Sequence, residues 1–209
     1  MGIQFEIEAK DKDKARYLGA SWDNEQHTWY ITGKKKLADF SEWMPEESDI
    51  IINNPMLIAV TKWHCTACKN ETTLIALGAE HFLQAEYEND DVDVKTWTTV
   101  KQLVLFSGIT YLPKNIGKLI QTDFPFFTHS FSEQVDEPYW VNHCIHCNTL
   151  QEDWLSHNQP DGAFFPCSPE RAQRIELHKI QIKHDFPIVG GYALGDSNEL
   201  INKYARRKK

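Results

Sequence analysis

The chain has 209 residues, 41% of them hydrophobic, with seven Trp, seven Tyr and eleven Phe, and a formal net charge of −8. This is ample apolar material for one large domain or two small ones. No apolar run reaches the roughly 18 residues of a membrane span, and Met1–Glu6 lacks the basic and apolar regions of a secretory signal, so the sequence reads as cytoplasmic. The charge is uneven. The last nine residues carry Lys203, Arg206, Arg207, Lys208 and Lys209 without an acid, whereas residues 46–200 sum to −12. Such an acidic body repels a phosphate backbone and argues against broad non-specific nucleic-acid binding, while it suits a basic protein partner.

Residues 1–45 read as a small β-α-β-α unit. Ile3, Phe5 and Ile7 alternate with Gln4, Glu6 and Glu8, the pattern of a half-buried strand. Asp11 is placed to cap a helix over Lys12–Leu18, and Gly19 stands where a left-handed C-terminal cap belongs. Trp22, the polar turn 23–27 and Thr28–Ile31 predict a turn into a second strand, broken at Gly33. A second helix is expected over Lys36–Trp43, ending before Pro45, with Leu37, Phe40 and Trp43 on one face. Trp22 and Trp43 are expected in the core, because large aromatics supply most of a small unit's burial. Tyr30 and the run Lys34-Lys35-Lys36 combine an aromatic with cations, the chemistry of single-strand contact, although a lysine run is most often a solvated face.

The string from Ala9 to Asp23, with Leu18-Gly19-Ala20-Ser21-Trp22-Asp23 at its centre and Thr28-Trp29-Tyr30-Ile31 after it, resembles a small bacterial domain. The hallmark of that domain reads roughly K-D-x-A-K-x-L-G-A-x-W-D…K-x-W-Y, and its own function is unknown. The resemblance covers about a fifth of the chain. It implies association with plasmid primase-like and other DNA-processing proteins. One departure is His27, where the family often has a basic residue.

Residues 46–209 predict an α+β domain that is mainly antiparallel β, with helices near the C-terminus. Ile50–Ile52 and Leu57–Val60 are short buried-strand candidates around Asn53-Asn54-Pro55. Strands are also expected at Leu74–Leu77, Phe82–Tyr87, Trp97–Leu105 and Ile109–Leu112, with an acidic loop over Glu86–Asp93. Ile116–Ile120 predicts a short helix. Ser168 followed by Pro169 predicts a helix start that runs to about Ile175. His178–Phe186 alternates as a strand, with His178 and His184 on one face. Gly190-Gly191 predicts a turn, and Ser197 the cap of a final helix reaching Arg206.

Two cysteine pairs dominate this second part: Cys65-Thr66-Ala67-Cys68 and Cys144-Ile145-His146-Cys147. A C-x-x-C turn holds two thiols close together and leaves backbone N–H groups free to donate to sulfur. Two such turns supply the four thiolates of one structural, tetrahedral Zn2+ site. Strand-like runs follow Cys68 and precede Cys144, as in a zinc ribbon, so residues 63–147 look like a ribbon with an insertion over 69–143. The 75 residues between the pairs exceed the roughly 15–20 of a compact ribbon. A disulfide would need an oxidising compartment, which nothing else indicates. Replacement of one cysteine by His64, His143 or His146 stays open. A four-thiolate site leaves no open position for water, so its role is folding rather than catalysis.

Cys167 is the fifth cysteine. His157 is close in sequence, yet no nucleophile signature surrounds Cys167, and an enzyme is the last of three readings. The first is a zinc-stapled, non-enzymatic binding module associated with nucleic-acid processing, with Tyr30, Lys34, Lys35, Lys36, Arg206 and Arg207 as its contacts. Its partner would be nucleic acid or a nucleic-acid enzyme. The second is an acidic immunity or inhibitor protein that neutralises a basic toxin such as a nuclease, using Phe126, Phe127, Phe164 and Phe165 as exposed aromatics.

Overall fold

The structure, a computed structural model, describes residues 2–87 and 95–208. The aspartates of the expected acidic loop (Asp90, Asp91 and Asp93), Lys209 and the side chain of Lys35 lie outside the described residues.

Among the described residues the chain is a mixed α/β protein, mostly strand with a few helices. The first elements are β1 (Gly2–Phe5), α1 (Lys12–Tyr17), β2 (Ser21–Asp23), β3 (Thr28–Thr32), a 3-10 helix Lys34–Trp43 and β4 (Ile50–Ile52). Then come β5 (Met56–His64), β6 (Glu71–Ala79), β7 (Phe82–Tyr87), β8 (Lys95–Val100), β9 (Val104–Tyr111) and α2 (Lys114–Asp123). The chain continues through β10 (Phe127–Ser132), β11 (Glu137–His143), β12 (Leu150–Gln151), a π-helical turn Trp154–Asn158 and α3 (Pro169–Ala172). It ends in β13 (Glu176–Ile180), β14 (His184–Tyr192), α4 (Asp196–Tyr204) and β15 (Arg206–Lys208).

One path of hydrogen-bonded strands runs β15-β13-β5-β6-β9-β14-β1-β3-β2. Branches leave it at β14, through β4 to β7 and β8, and at β9, through β11 to β10 and β12. Only β1 with β14 and β13 with β15 pair in parallel among the described strands. Strands β5 and β6 sit near the middle of this path, and their alternate residues feed two cores. Met56, Ile58, Ile75 and Leu77 join Phe82, Phe106 and Phe186 on one face, where α2 adds Ile116 and Ile120. Leu57, Ala59, Leu74 and Ala76 meet Phe164, Leu177 and Ile201 on the other. The resulting near-continuous apolar runs belong to strands covered on both faces. At Gly78 a Cβ would lie 2.6 Å from the Val104 carbonyl, so the missing side chain lets β6 and β9 close up.

The N-terminal unit has its own core of Ile3, Phe5, Ala15, Trp29, Ile31, Leu37 and Phe40, which also takes in Ile51 and Leu83 from beyond residue 45. It meets the rest of the chain through the parallel pairing of Gly2 with His184 and Ile3 with Asp185. Gly19 has φ +96° and ends α1 as expected. Asp11 precedes the helix without making a side-chain cap.

Several expectations are corrected. β1 is buried on both faces rather than half-exposed, because it lies inside the sheet and Asn115 of α2 bonds Gln4. Trp22 is 41% exposed, since the edge hairpin β2–β3 leaves its outer face uncovered; Trp43 is half-buried against the core. The helix expected over 36–43 is a 3-10 helix with Leu37 and Phe40 buried. The Trp97–Leu105 strand is divided between β8 and β9. His178 and His184 stand on separate strands, β13 and β14, and Gly190-Gly191 lies inside β14 at a register shift rather than at a turn. The helix at Ser168 is a single turn, and the final helix stops at Tyr204, after which Arg206–Lys208 form an edge strand. Phe127 and Phe164 are buried, and Phe126 and Phe165 are half-buried.

Candidate metal centre

The first cysteine pair is the turn of the β5–β6 hairpin, whose nine residue pairs run from Met56 opposite Ala79 to His64 opposite Glu71. At its tip the Cys65 amide donates to the Asn70 carbonyl at 2.9 Å and the Lys69 amide to the Cys65 carbonyl at 3.1 Å. The second pair closes the short β11–β12 hairpin by the same scheme: the Cys144 amide donates to Thr149 and the Asn148 amide to Cys144, each at 2.9 Å. In both knuckles the residue after the second cysteine is left-handed, with φ +62° at Lys69 and +59° at Asn148. In both, the amide two residues after the first cysteine donates to its sulfur at 3.4 Å, Ala67 to Cys65 and His146 to Cys144.

Side chains from β6, β11 and β12 bring the two tips together. Asn142, 1% exposed, accepts from the Ile75 amide and donates to the Ile75 carbonyl, both at 2.8 Å, so one side chain continues the ladder from β6 to β11. Thr72 accepts from the Ile145 amide at 3.1 Å. Gln151 accepts from the Thr66 amide at 3.1 Å and donates towards Cys65 Sγ at 3.4 Å, which ties β12 to the first knuckle.

The four sulfurs of Cys65, Cys68, Cys144 and Cys147 all lie within 4.8 Å of one another. Cys65–Cys147 is 3.6 Å and Cys68–Cys144 3.7 Å. Four ligands about 2.3 Å from a central ion stand about 3.8 Å apart at the corners of a tetrahedron, so these distances fit a tetrahedral metal. They are also too long for disulfides, and all four cysteines are free. No histidine belongs to the cluster among the described residues. His143 is held by the Asn148 carbonyl and the Ser130 hydroxyl, each at 3.1 Å, and His146 by the Glu71 carbonyl at 2.8 Å.

The charges on the sulfurs compete. The Thr149 hydroxyl and amide beside Cys147 lower its thiol to about 6. At Cys68 the Asn70 amide favours the thiolate, yet burial and the three neighbouring thiols outweigh it and raise the group to about 11. Four thiolates cannot share this space without a cation between them, a compensation that a divalent ion would supply. The exposed tip carries Ile145, and Cys65 and Cys144 are buried beneath it.

The other proposed contacts are scattered. The Tyr30 ring is stacked on His184 with 4.3 Å between centroids, so one of its faces is covered. Lys34 and Lys36 are exposed at the start of the 3-10 helix. Arg206 pairs with Glu176 at 3.0 Å, and Arg207 with Glu80 at 2.5 Å and the Asn202 side chain at 2.8 Å. Cys167 is exposed, whereas burial lowers His157 to about 4 and its ring packs on Phe164 at 5.0 Å. Sequence reasoning missed Asn142, Thr72 and Gln151. Their signal is polarity inside an otherwise apolar strand setting.

Fold and site together define a β-rich α/β protein with a four-cysteine cluster able to hold one metal ion. The cluster is compatible with a zinc ribbon. Residues 7–45 match a domain of unknown function, DUF5710. No curated protein and no solved structure matches the chain. No helix among the described residues is long and apolar enough to cross a membrane.

Proposed function

We propose that the protein is a zinc-stapled, non-enzymatic binding module that works alongside nucleic-acid enzymes. The observation that carries the zinc reading is the set of four sulfurs within 4.8 Å, contributed by two knuckles of one geometry. Thiolate ligands in a tetrahedron select zinc over harder ions, and four of them close its coordination, so the ion contributes folding free energy. Cys65, Cys68, Cys144 and Cys147 would hold it. The nucleic-acid part rests on the resemblance of residues 9–31 and on exposed aromatics in that stretch. Tyr17 is 90% exposed and Trp22 41%, with the Arg16 guanidinium 5.2 Å from the Trp29 ring. Rings and cations of this kind stack on bases and meet phosphates.

The test is twofold. Metal analysis of protein purified without chelator should find one zinc per chain, and absence of metal after refolding with zinc would overturn the first half. Fluorescence anisotropy with single-stranded and duplex nucleic acid at two salt concentrations tests the second. Binding that weakens with salt, and weakens further in Trp22→Ala, supports it. No binding at low salt removes it.

A second reading, an acidic inhibitor or immunity protein for a basic toxin, is favoured by one surface. A groove of about 620 Å³ is lined by Glu6, Glu8, Asp11, Glu42, Glu46 and Glu47 against one cation, Lys10, which pairs with Glu8 at 2.9 Å; Trp43 and Tyr111 are among its walls. Complementary charge of this sign speeds capture of a cationic protein. Loss of binding to basic proteins in Glu42→Lys with Glu46→Lys would support this reading, and unchanged binding would end it.

A further inference from the structure

On the far side of β1 from the apolar core of the N-terminal unit, Gln4 faces α2. The hydrogen bonds there fix the direction of every amide. The Ile116 backbone N–H donates to Asn115 Oδ1 at 3.0 Å, so Asn115 presents its amide nitrogen outward. Asn115 Nδ2 donates in turn to Gln4 Oε1 at 2.9 Å. Gln4 therefore turns its own amide nitrogen away from Asn115, and that nitrogen has no partner although the residue is only 2% exposed. A buried donor left unmade is destabilising, which calls for an acceptor.

Gln4 lines a cavity of about 350 Å³ between α2 and the segment that joins β13 to β14. Lys118, Lys183, Gln26 and His184 line it as well, and none of its wall residues is Asp or Glu, in a chain of net charge −8. His184, 7% exposed, has its Nε2 held by Asp23 at 2.6 Å and contributes a fixed ring to the wall rather than a donor. Lys183 reaches Asp23 at 2.9 Å and Glu25 at 2.6 Å, and these two carboxylates stand outside the cavity wall. Among the described residues Lys118 is exposed, lines the cavity and is in no ion pair, so its charge is free to meet a ligand.

We propose that this cavity binds a small oxyanion, the phosphate or carboxylate group of a small molecule, with the Gln4 amide as donor and Lys118 as counter-charge. An oxyanion offers acceptor lone pairs to the unmade N–H, and a charge-assisted hydrogen bond of this kind is stronger than a neutral one. A cavity of this size admits a small molecule and not a strand.

The experiment titrates full-length, zinc-loaded protein with inorganic phosphate, and separately with acetate, at constant ionic strength set by chloride. The readout is the Gln4 side-chain amide signal in a 15N–1H spectrum. A saturable shift of that signal is expected with phosphate, acetate or both, and the stronger arm identifies the oxyanion class. Lys118→Glu, a change at an exposed position, should raise the midpoint about tenfold or more, whereas Lys34→Glu on the N-terminal unit should leave it unchanged. A Gln4 signal that neither anion moves, or a midpoint indifferent to Lys118→Glu in a folded variant, would overturn the proposal.

Discussion

The first knuckle closes a hairpin of nine residue pairs, and the second closes one of two pairs. Both use the same turn, the same amide-to-sulfur bonds and the same left-handed residue after the second cysteine. They differ in what holds them apart from any metal ion. β5 and β6 are buried on both faces and are secured by the two main cores. β12 is a two-residue strand, and the second knuckle depends on Asn142 and His146 reaching back to β6 and on Thr72 of β6 accepting from the Ile145 amide. A local motif thus repeats faithfully while its anchorage is set by the surrounding sheet.

Metal removal should break the symmetry most visibly. Structural zinc in small domains is worth on the order of 10 kcal/mol, so chelation should lower the melting temperature sharply. In any folded metal-free form, hydrogen exchange should rise first at residues 143–151 and least at 57–61 and 74–78. Equal loss of protection in both hairpins would show that the long hairpin does not stand by itself.

Asn142→Ala comes next. It strips the Ile75 amide and carbonyl of their buried partners, a cost of roughly 2–4 kcal/mol by chemical denaturation. The same variant should weaken metal affinity, because the second knuckle is no longer aimed at the first. A variant with wild-type stability would mean that β11 is held to β6 by packing alone.

Thr72→Val removes one acceptor while keeping shape. Its expected cost is about 1 kcal/mol, with the Ile145 amide exchanging faster and the Ala67 amide unchanged. If both amides responded alike, the knuckles would be coupled through the metal more tightly than through the protein.

The smallest effect has the opposite sign. Lysine tolerates the left-handed region less well than asparagine, so Lys69→Gly should stabilise by about 0.5–1 kcal/mol and Asn148→Gly by less. A larger gain at Asn148 would reverse that ranking and would show that Lys69 is held in place by its own contact with the Thr66 carbonyl.

Much of this arrangement was legible beforehand, for identifiable reasons. The C-x-x-C spacing announces its turn because the sulfur–amide bonds are made within four residues. The helix of the N-terminal unit ends at Gly19 because only a residue tolerant of positive φ fits there. Ile50–Ile52 is buried as an apolar triplet should be. The misses share a cause as well. One strand is expected over His178–Phe186 because apolar alternation continues through Ile180 and Ile182, whereas β13 ends at Ile180 and β14 begins at His184. Trp22 was assigned to the core by size, but an edge strand has one uncovered side. The final helix is expected to reach Arg206, with Arg206 and Arg207 as partner contacts, yet Arg206–Lys208 pair with β13.

The sequence by itself determined the two knuckles, their four cysteines, and the strand character of the segments around them, since each depends on contacts a few residues long. Only the tertiary structure decided that the knuckles meet. It also decided that Asn142 serves as a ladder rung, that Arg206 and Arg207 are paired with Glu176 and Glu80, and that Gln4 is left with an unused donor on a cavity that Lys118 also lines. These depend on partners separated by up to 127 positions in the chain. Which distant groups come together is fixed by how whole sheets pack, and no local pattern of residue types encodes it.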